Sequence, residues 1–408
     1  MWVNCQVVAL FLATAFMGRP KPGGPFGGAF SDQYLSTPNT LTPYVRSLLD
    51  SPAPPFWAFQ HIFPLWVLLD VPKSFQHLAK YRSVGLGELK IPHEIVVPLQ
   101  AVAFLGVDQI NLDLRSMEEG TPGPRFRAGQ DMSSFLAEAC ERVATYDMVL
   151  WSVFMSAWDD ITYGTDQREA ALDAWCTMLT AVGGSGIEAL GYNFKPKGNF
   201  RTPSDSGRGD VAYSTFDYDH FLTTRKEPTA GESWHEDRMW DNMSTFLKRV
   251  IPVARDAGVR MALHPDDPPI AEPLGGVAQI CSTVSQFDRI LDEVDDPANG
   301  LLFCQGCFTE LLGQGVYEEI ARLAERGRIV CVHFRNVRGQ LPRFTEVFLD
   351  EGDIDMGRAM QTYFDHGFEG PFMMDHTPRI QGDEGSRAGT AYAIGYIRSL
   401  LQQTQRRG

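Results

Sequence analysis

From about residue 83 onward, short apolar runs rich in β-branched residues alternate with longer segments whose apolar positions recur at helical spacing. The runs are Val84–Leu89, Gln109–Leu114, Met148–Phe154, Gly186–Phe194, Arg260–His264, Gly300–Cys304, Ile329–Phe334 and Pro371–Asp375. Between them, Trp240, Met243, Leu247, Val250 and Ala254 predict a helix over Ser233–Ala257. Phe287, Ile290, Leu291 and Val294 predict another over Val284–Val294, and a third is expected over Tyr317–Glu325. Eight strands alternating with helices predict an α/β fold, a (β/α)8 TIM barrel over residues 83–402. An open doubly wound sheet is the competing arrangement, but no Gly-x-Gly-x-x-Gly follows the first run to support a dinucleotide fold.

Residues 1–82 read differently. Arg19–Phe30 (RPKPGGPFGGAF) and Ser51–Trp57 (SPAPPFW) are broken by Gly and Pro, which predicts an irregular or peripheral N-terminal extension. Val7–Met17 has the length of a signal-peptide core but no basic residue before it, so a signal segment and a tethered arm both stay open. Residues 403–408 read as a solvated tail. No stretch reaches the length of a spanning helix, so no membrane partner is expected.

The formal net charge of −15 repels phosphate backbones and argues against a nucleic-acid partner. The seven cysteines are an odd number in a long chain, which favours free thiols in a reducing, cytoplasmic setting over a disulfide scaffold. Cys304 and Cys307 form a Cys-x-x-Cys. A zinc ribbon needs a second such pair and a redox pair would open a first βα unit, so Cys307 reads as a packing residue.

Four predicted strands end on residues of metal-ligand type: His264, Cys304, His333 and Asp375, spaced 40, 29 and 42 residues apart. Each spacing is about one strand–helix repeat, and in a barrel the C-terminal strand ends converge on one face. Alone, each has a plainer account: a hydrogen-bonded histidine, a small buried thiol, a helix-capping aspartate. Together they predict a divalent metal site, and two imidazoles, a thiolate and a carboxylate suit Mn, Fe, Co or Zn better than Mg or Ca. Arg335, two residues past His333, points the same way along a continuing strand. It is expected either to clamp a substrate carboxylate or to form a salt bridge in the barrel rim. His376, next to Asp375, is expected to be an acid or base or to orient its neighbour.

His264–Pro269 (HPDDPP), Phe303–Gly306 (FCQG), His333–Val337 (HFRNV) and Met374–His376 (MDH) resemble the mannonate dehydratase family of xylose isomerase-like barrels. So do Tyr192-Asn193-Phe194 and Glu351-Gly352-Asp353, while Gly207–Phe216 (GRGDVAYSTF) looks like a divergent branch. The resemblance runs from about 186 to 402, is weak over 83–185, and is absent before that. It implies a lyase of carbohydrate metabolism, in hexuronate catabolism, that removes water from D-mannonate to give 2-dehydro-3-deoxy-D-gluconate with a divalent metal, usually manganese. The family's ligands fall on the same four strand-end residues. Its arginine falls on Arg335, its histidine on His376, and Asn193 and Asp266 are candidates for substrate binding.

The family tyrosine, expected in a Gly-Tyr context past the eighth strand, has no counterpart in Arg387–Tyr392 (RAGTAY). Tyr392 is displaced toward the last helix, leaving Tyr192 and Tyr213 as substitutes. A xylose isomerase-like isomerase or epimerase, or a non-catalytic metal and sugar-acid binding protein, are the alternative functions. The partner is a small sugar acid, and a homo-oligomer is compatible with this reading.

Overall fold

A computed structural model describes residues 99–117, 130–224, 234–383 and 386–406. All of them belong to the unit Lys90–Gly408. The extension read over 1–82, its boundary at 83 and the run Val84–Leu89 lie outside the described residues.

The other seven runs are strands: β1 (Gln109–Asp113), β2 (Val149–Ser156), β3 (Ala189–Asn193), β6 (Arg260–Leu263), β7 (Asn299–Cys304), β8 (Ile329–His333) and β11 (Phe372–Met373). They form one sheet in the order β1-β2-β3-β6-β7-β8-β11, every neighbouring pair parallel. Helices α1 (Leu99–Phe104), α2 (Ser133–Ala144), α3 (Arg168–Gly184), α4 (Glu236–Asp256), α5 (Val284–Glu293), α6 (Gln305–Leu312), α7 (Val316–Glu325), α8 (Met356–Asp365) and α9 (Arg387–Gln405) accompany them. This is the strand–helix repeat of a TIM barrel, and α4, α5 and α7 lie within two or three residues of their predicted bounds. Thr283 opens α5 with a capping box, its hydroxyl accepting from Gln286 N–H while the Gln286 side chain accepts from the Thr283 backbone. Helix α9 continues through Gln405, past residue 403 where a tail was expected.

Side chains of a strand alternate between faces. Phe154, Ala189, Ala262, Leu302 and Cys304 cluster on the inner face. Leu190, Tyr192, Met261, Leu263, Leu301 and Phe303 belong to the large outer core shared with the helices, where Trp175, Phe246 and Ile320 are fully buried. The inner positions are small where strands crowd: a Cβ on Gly191 would stand 2.6 Å from the Phe154 ring.

A second sheet was not expected. β4 (Thr202–Ser206), β5 (Ala212–Asp217), β9 (Asn336–Gln340) and β10 (Arg343–Val347) form an antiparallel sheet in the order β4-β5-β10-β9. β4 follows the end of β3 and β9 follows the end of β8, so this sheet is built from the two loops that leave those strands at the site-bearing end. Phe216 and Phe344 pack with Ile270 and Leu274 on it, and Val211 and Tyr213 pack with Val347 and Phe348.

Candidate metal centre and its surroundings

The strand ends bring His264, Cys304, His333 and Asp375 together: one donor atom from each lies within 4.8 Å of the others. The register explains it. Cys304 is paired with His333 across β7 and β8, and Met373 with His333 across β11 and β8. Asp375, two residues beyond Met373, returns to the inner face in a left-handed conformation (φ 62°) that aspartate tolerates better than most residues. His264 Nδ1 lies 2.7 Å from the carbonyl oxygen of Pro265. That bond fixes the tautomer with the proton on Nδ1 and leaves Nε2 as a bare donor.

The four residues fit a divalent transition-metal ion on chemistry and electrostatics. His333 Nδ1 is buried without a hydrogen-bond partner, 3.5 Å from Asp375 Oδ2. Burial would lower the His333 pKa, but the Asp375 carboxylate and Cys304 outweigh it and raise it to about 9. The pocket therefore favours a positive charge at that point. Burial likewise opposes the Cys304 thiolate, yet the Cys307 hydrogen bond and the Arg335 charge hold its pKa well below the usual thiol range. Cys307, buried beside it, is pushed well up and remains a thiol.

Around the donors lies a buried charge network that the sequence reading did not anticipate. Asp267, Glu310 and Glu346 are nearly fully buried. Arg201 Nη2 reaches Asp267 Oδ2 at 2.7 Å and Glu346 Oε1 at 2.5 Å. Burial pushes the Asp267 carboxyl up, but Arg201 and Arg335 bring it down to about 2. Glu310 is pushed well above the carboxylate range by burial and by the Asp267 charge.

His376 stands at the rim, half-exposed, with Nε2 3.4 Å from Asp375 Oδ2 and Nδ1 3.6 Å from Glu346 Oε2. It lines a cleft with Arg335, Met374, Thr377, Phe348 and Tyr392.

Among solved structures, a mannonate dehydratase from Streptococcus suis serotype2 superposes with a TM-score of 0.66 at 23% identity, covering 78% of this chain and 91% of that one. A xylose isomerase domain protein from Planctomyces limnophilus gives a TM-score of 0.50 at 12% identity, over 76% and 93% of the two chains. These likenesses establish the TIM-barrel fold. A Streptococcus agalactiae mannonate dehydratase is 29% identical over 284 residues, 60% of this chain and 79% of the relative. Mannonate dehydratase 2 of Halalkalibacterium halodurans is 27% identical over 253 residues, 56% and 73% of the two chains. The family model described as D-mannonate dehydratase (UxuA) matches residues 220–407. Residues 220–407, just under half of the chain, thus resemble the mannonate dehydratase family. That family is one of hydro-lyases, enzymes that remove water from a sugar acid.

Three expectations about site residues need correction. Tyr192 does not face the site. It pairs with Leu263 on the outer face of the barrel, and its ring lies against Trp175 and Phe246. Asn193, the next residue, takes the inner parity instead and is buried there. Tyr213 lies in the antiparallel sheet: its hydroxyl donates to Glu351 Oε2 and accepts from the Arg208 backbone N–H at 3.3 Å. Gly207 packs so closely on the Tyr213 ring that no side chain fits there. Asp266 turns from the cleft, its Oδ2 accepting from Cys281 N–H at 3.0 Å and Ser282 Oγ at 3.1 Å. It secures the HPDDPP loop, while its neighbour Asp267 faces the two arginines.

The family motifs acquire structural reasons. In HFRNV, Phe334 enters the outer core. Asn336 Nδ2 donates to the carbonyls of Leu349 and Ile354, both at 2.9 Å. Gly352 of the Glu-Gly-Asp turn has no room for a side chain against Asn336. Asp353 Oδ2 accepts from Gly339 N–H at 2.7 Å.

Proposed function

We propose that this protein is a metal-dependent dehydratase of a six-carbon sugar acid such as D-mannonate, with 2-dehydro-3-deoxy-D-gluconate as product. The observation that carries the reading is the convergence of His264, Cys304, His333 and Asp375, with His376 beside them at the mouth of a cleft. Those four residues would hold the ion, manganese first and Fe, Co or Zn as alternatives. A divalent cation there would withdraw charge from a substrate carboxylate and its neighbouring hydroxyl, making the adjacent C–H more acidic.

The chain's own groups supply the rest. The carboxylates of Asp375 and Glu346 flank the two ring nitrogens of His376 and orient the imidazole toward the cleft. Neutral His376 would accept the proton released from the adjacent C–H and, once protonated, give it to the departing C3 hydroxyl, which leaves as water. Tyr392 is the tyrosine that lines the same cleft. Burial and the neighbouring Asp350 push its pKa up to about 12, so it takes part as a neutral phenol. The inner-face Asn193 is the candidate for binding substrate hydroxyls. No helix among the described residues is long and apolar enough to cross a membrane. The described cysteines are all free thiols, which supports a reducing, cytoplasmic setting.

The test is a panel of aldonates with purified protein. A 2-keto-3-deoxy acid, detected by the periodate–thiobarbiturate colour, is the expected product, whereas an isomer of unchanged mass would make the protein an epimerase. Metal analysis should give close to one transition-metal ion per chain, mostly lost in Cys304→Ala and His333→Ala. Full retention in both variants would overturn the site.

A further inference from the structure

Arg335 was expected to clamp a substrate carboxylate or to bridge within the rim. Its guanidinium is nearly fully buried, and its donors are already committed. Nε donates to Cys304 Sγ at 3.3 Å and lies 3.3 Å from Asp375 Oδ2. Nη1 donates to Glu310 Oε1 at 3.0 Å and Glu346 Oε1 at 3.2 Å. Nη2 donates to Asp267 Oδ2 and Cys307 Sγ, at 3.3 and 3.2 Å. A guanidinium has five N–H bonds, and six protein acceptors surround this one. None is left over for a ligand.

The guanidinium also lies against the start of α6. A Cβ on Gly306 would stand 2.5 Å from Arg335 Cζ and 2.6 Å from Nε and Nη1. Gly306 has no left-handed backbone angle that would call for glycine. Its missing side chain is accounted for by the close approach of the planar cation alone. The glycine of FCQG and the arginine of HFRNV are thus two halves of one contact.

We infer that Arg335 is a positioning residue which fixes the Cys304 sulfur and the Asp375 carboxylate relative to each other, and that Gly306 is the cradle allowing it to do so. One side of the guanidinium touches two of the four donors. The opposite side is held by Glu310, Glu346 and Asp267, which come from α6, β10 and the loop after β6. Arg201 joins two of these carboxylates, Asp267 and Glu346, from outside, at 2.7 and 2.5 Å. The arginine therefore ties the donors of β7 and β11 to three other segments. A partner that holds a ligand in place is worth about 10- to 100-fold in metal affinity. Lysine cannot replace it, since a single ammonium with three donors cannot span six acceptors in one plane.

This inference rests on the four-residue metal site proposed above, and the experiment separates the two. Manganese and cobalt affinities are measured for the full chain, for Arg335→Lys and for Gly306→Ala, with the thiolate-to-cobalt charge-transfer absorption as a second readout. Wild-type protein should bind cobalt with a thiolate band. Both variants should lose 10-fold or more in affinity and show a weakened or shifted band, and Gly306→Ala should do so although Gly306 touches neither ion nor substrate. Wild-type affinity and band in Gly306→Ala, or in Arg335→Lys with only KM raised, would overturn the positioning role and restore the clamp. Absence of any thiolate band in the wild type would overturn the metal site itself, and this inference with it. Gly306→Ala keeps the test decisive if Arg335→Lys fails to fold.

Discussion

Replacing Tyr192 by phenylalanine separates packing from chemistry at one of the two tyrosines the sequence offered as substitutes for the family's. The Tyr192 hydroxyl is buried and has no hydrogen-bond partner. Its ring contacts Trp175 and Phe246 at centroid distances of 6.2 and 5.4 Å, and phenylalanine would preserve both. A buried hydroxyl left unpaired costs about 1–3 kcal/mol. Deleting it should therefore stabilise the fold by about 1 kcal/mol, equivalent to a rise of about 2 °C in Tm for a domain of this size. Tyr192→Ala instead empties the ring's place in the aromatic core and should cost about 3–5 kcal/mol. Thermal melts followed by circular dichroism, with turnover on an aldonate at saturating metal, give both readings on the same protein. Turnover of Tyr192→Phe should match the wild type. A 100-fold fall in turnover with Tm and metal content unchanged would place the phenol in the chemistry and refute the face assignment of β3.

Two further changes probe other parts of the site. His376→Asn should reduce turnover by about 10²- to 10⁴-fold while retaining the metal, so metal loss measured by elemental analysis would move His376 into the donor set. Asn336→Ala removes the donors to Leu349 and Ile354 and the acceptor for Val337 N–H. Leaving those buried groups unpaired should cost about 2–4 kcal/mol in a denaturant titration, and a change below 0.5 kcal/mol would show that the turn holds itself.

The barrel was legible because its strands are short apolar runs at near-regular intervals, and the four donors because they stand where those runs stop. The antiparallel sheet was not legible. Thr202–Ser206 reads TPSDS, with neither alternation nor β-branched bulk beyond one threonine, and β5 finds its partner β10 more than 120 residues away. Asp267, Glu310, Glu346 and Arg201 were passed over because charged residues in loops and on helices ordinarily face water. Only folding shows that they face one another. Tyr192 is a different kind of miss. Strand parity alone separates Tyr192 from Asn193, and both cannot face the same cleft. Tyr213 carried a local signal of another sort, since Gly207 precedes it by the length of a tight hairpin and leaves its ring a seat.

Strand β11 is only two residues long and meets β8 through Phe372 and Met373. Few backbone bonds hold it, chiefly Val332 N–H to the Pro371 carbonyl at 3.0 Å and Phe334 N–H to the Met373 carbonyl at 2.7 Å. A segment secured so lightly opens at low free energy, well below that of the barrel as a whole. Yet Asp375 hangs from it. An ion shared between Asp375 and three donors on the longer neighbours would add its own binding free energy to the cost of opening that edge. Occupancy would then be written into the amide exchange of residues 371–376 before it changed anything in the rest of the sheet. In such a molecule the ion fastens the end of the sheet as well as serving the reaction.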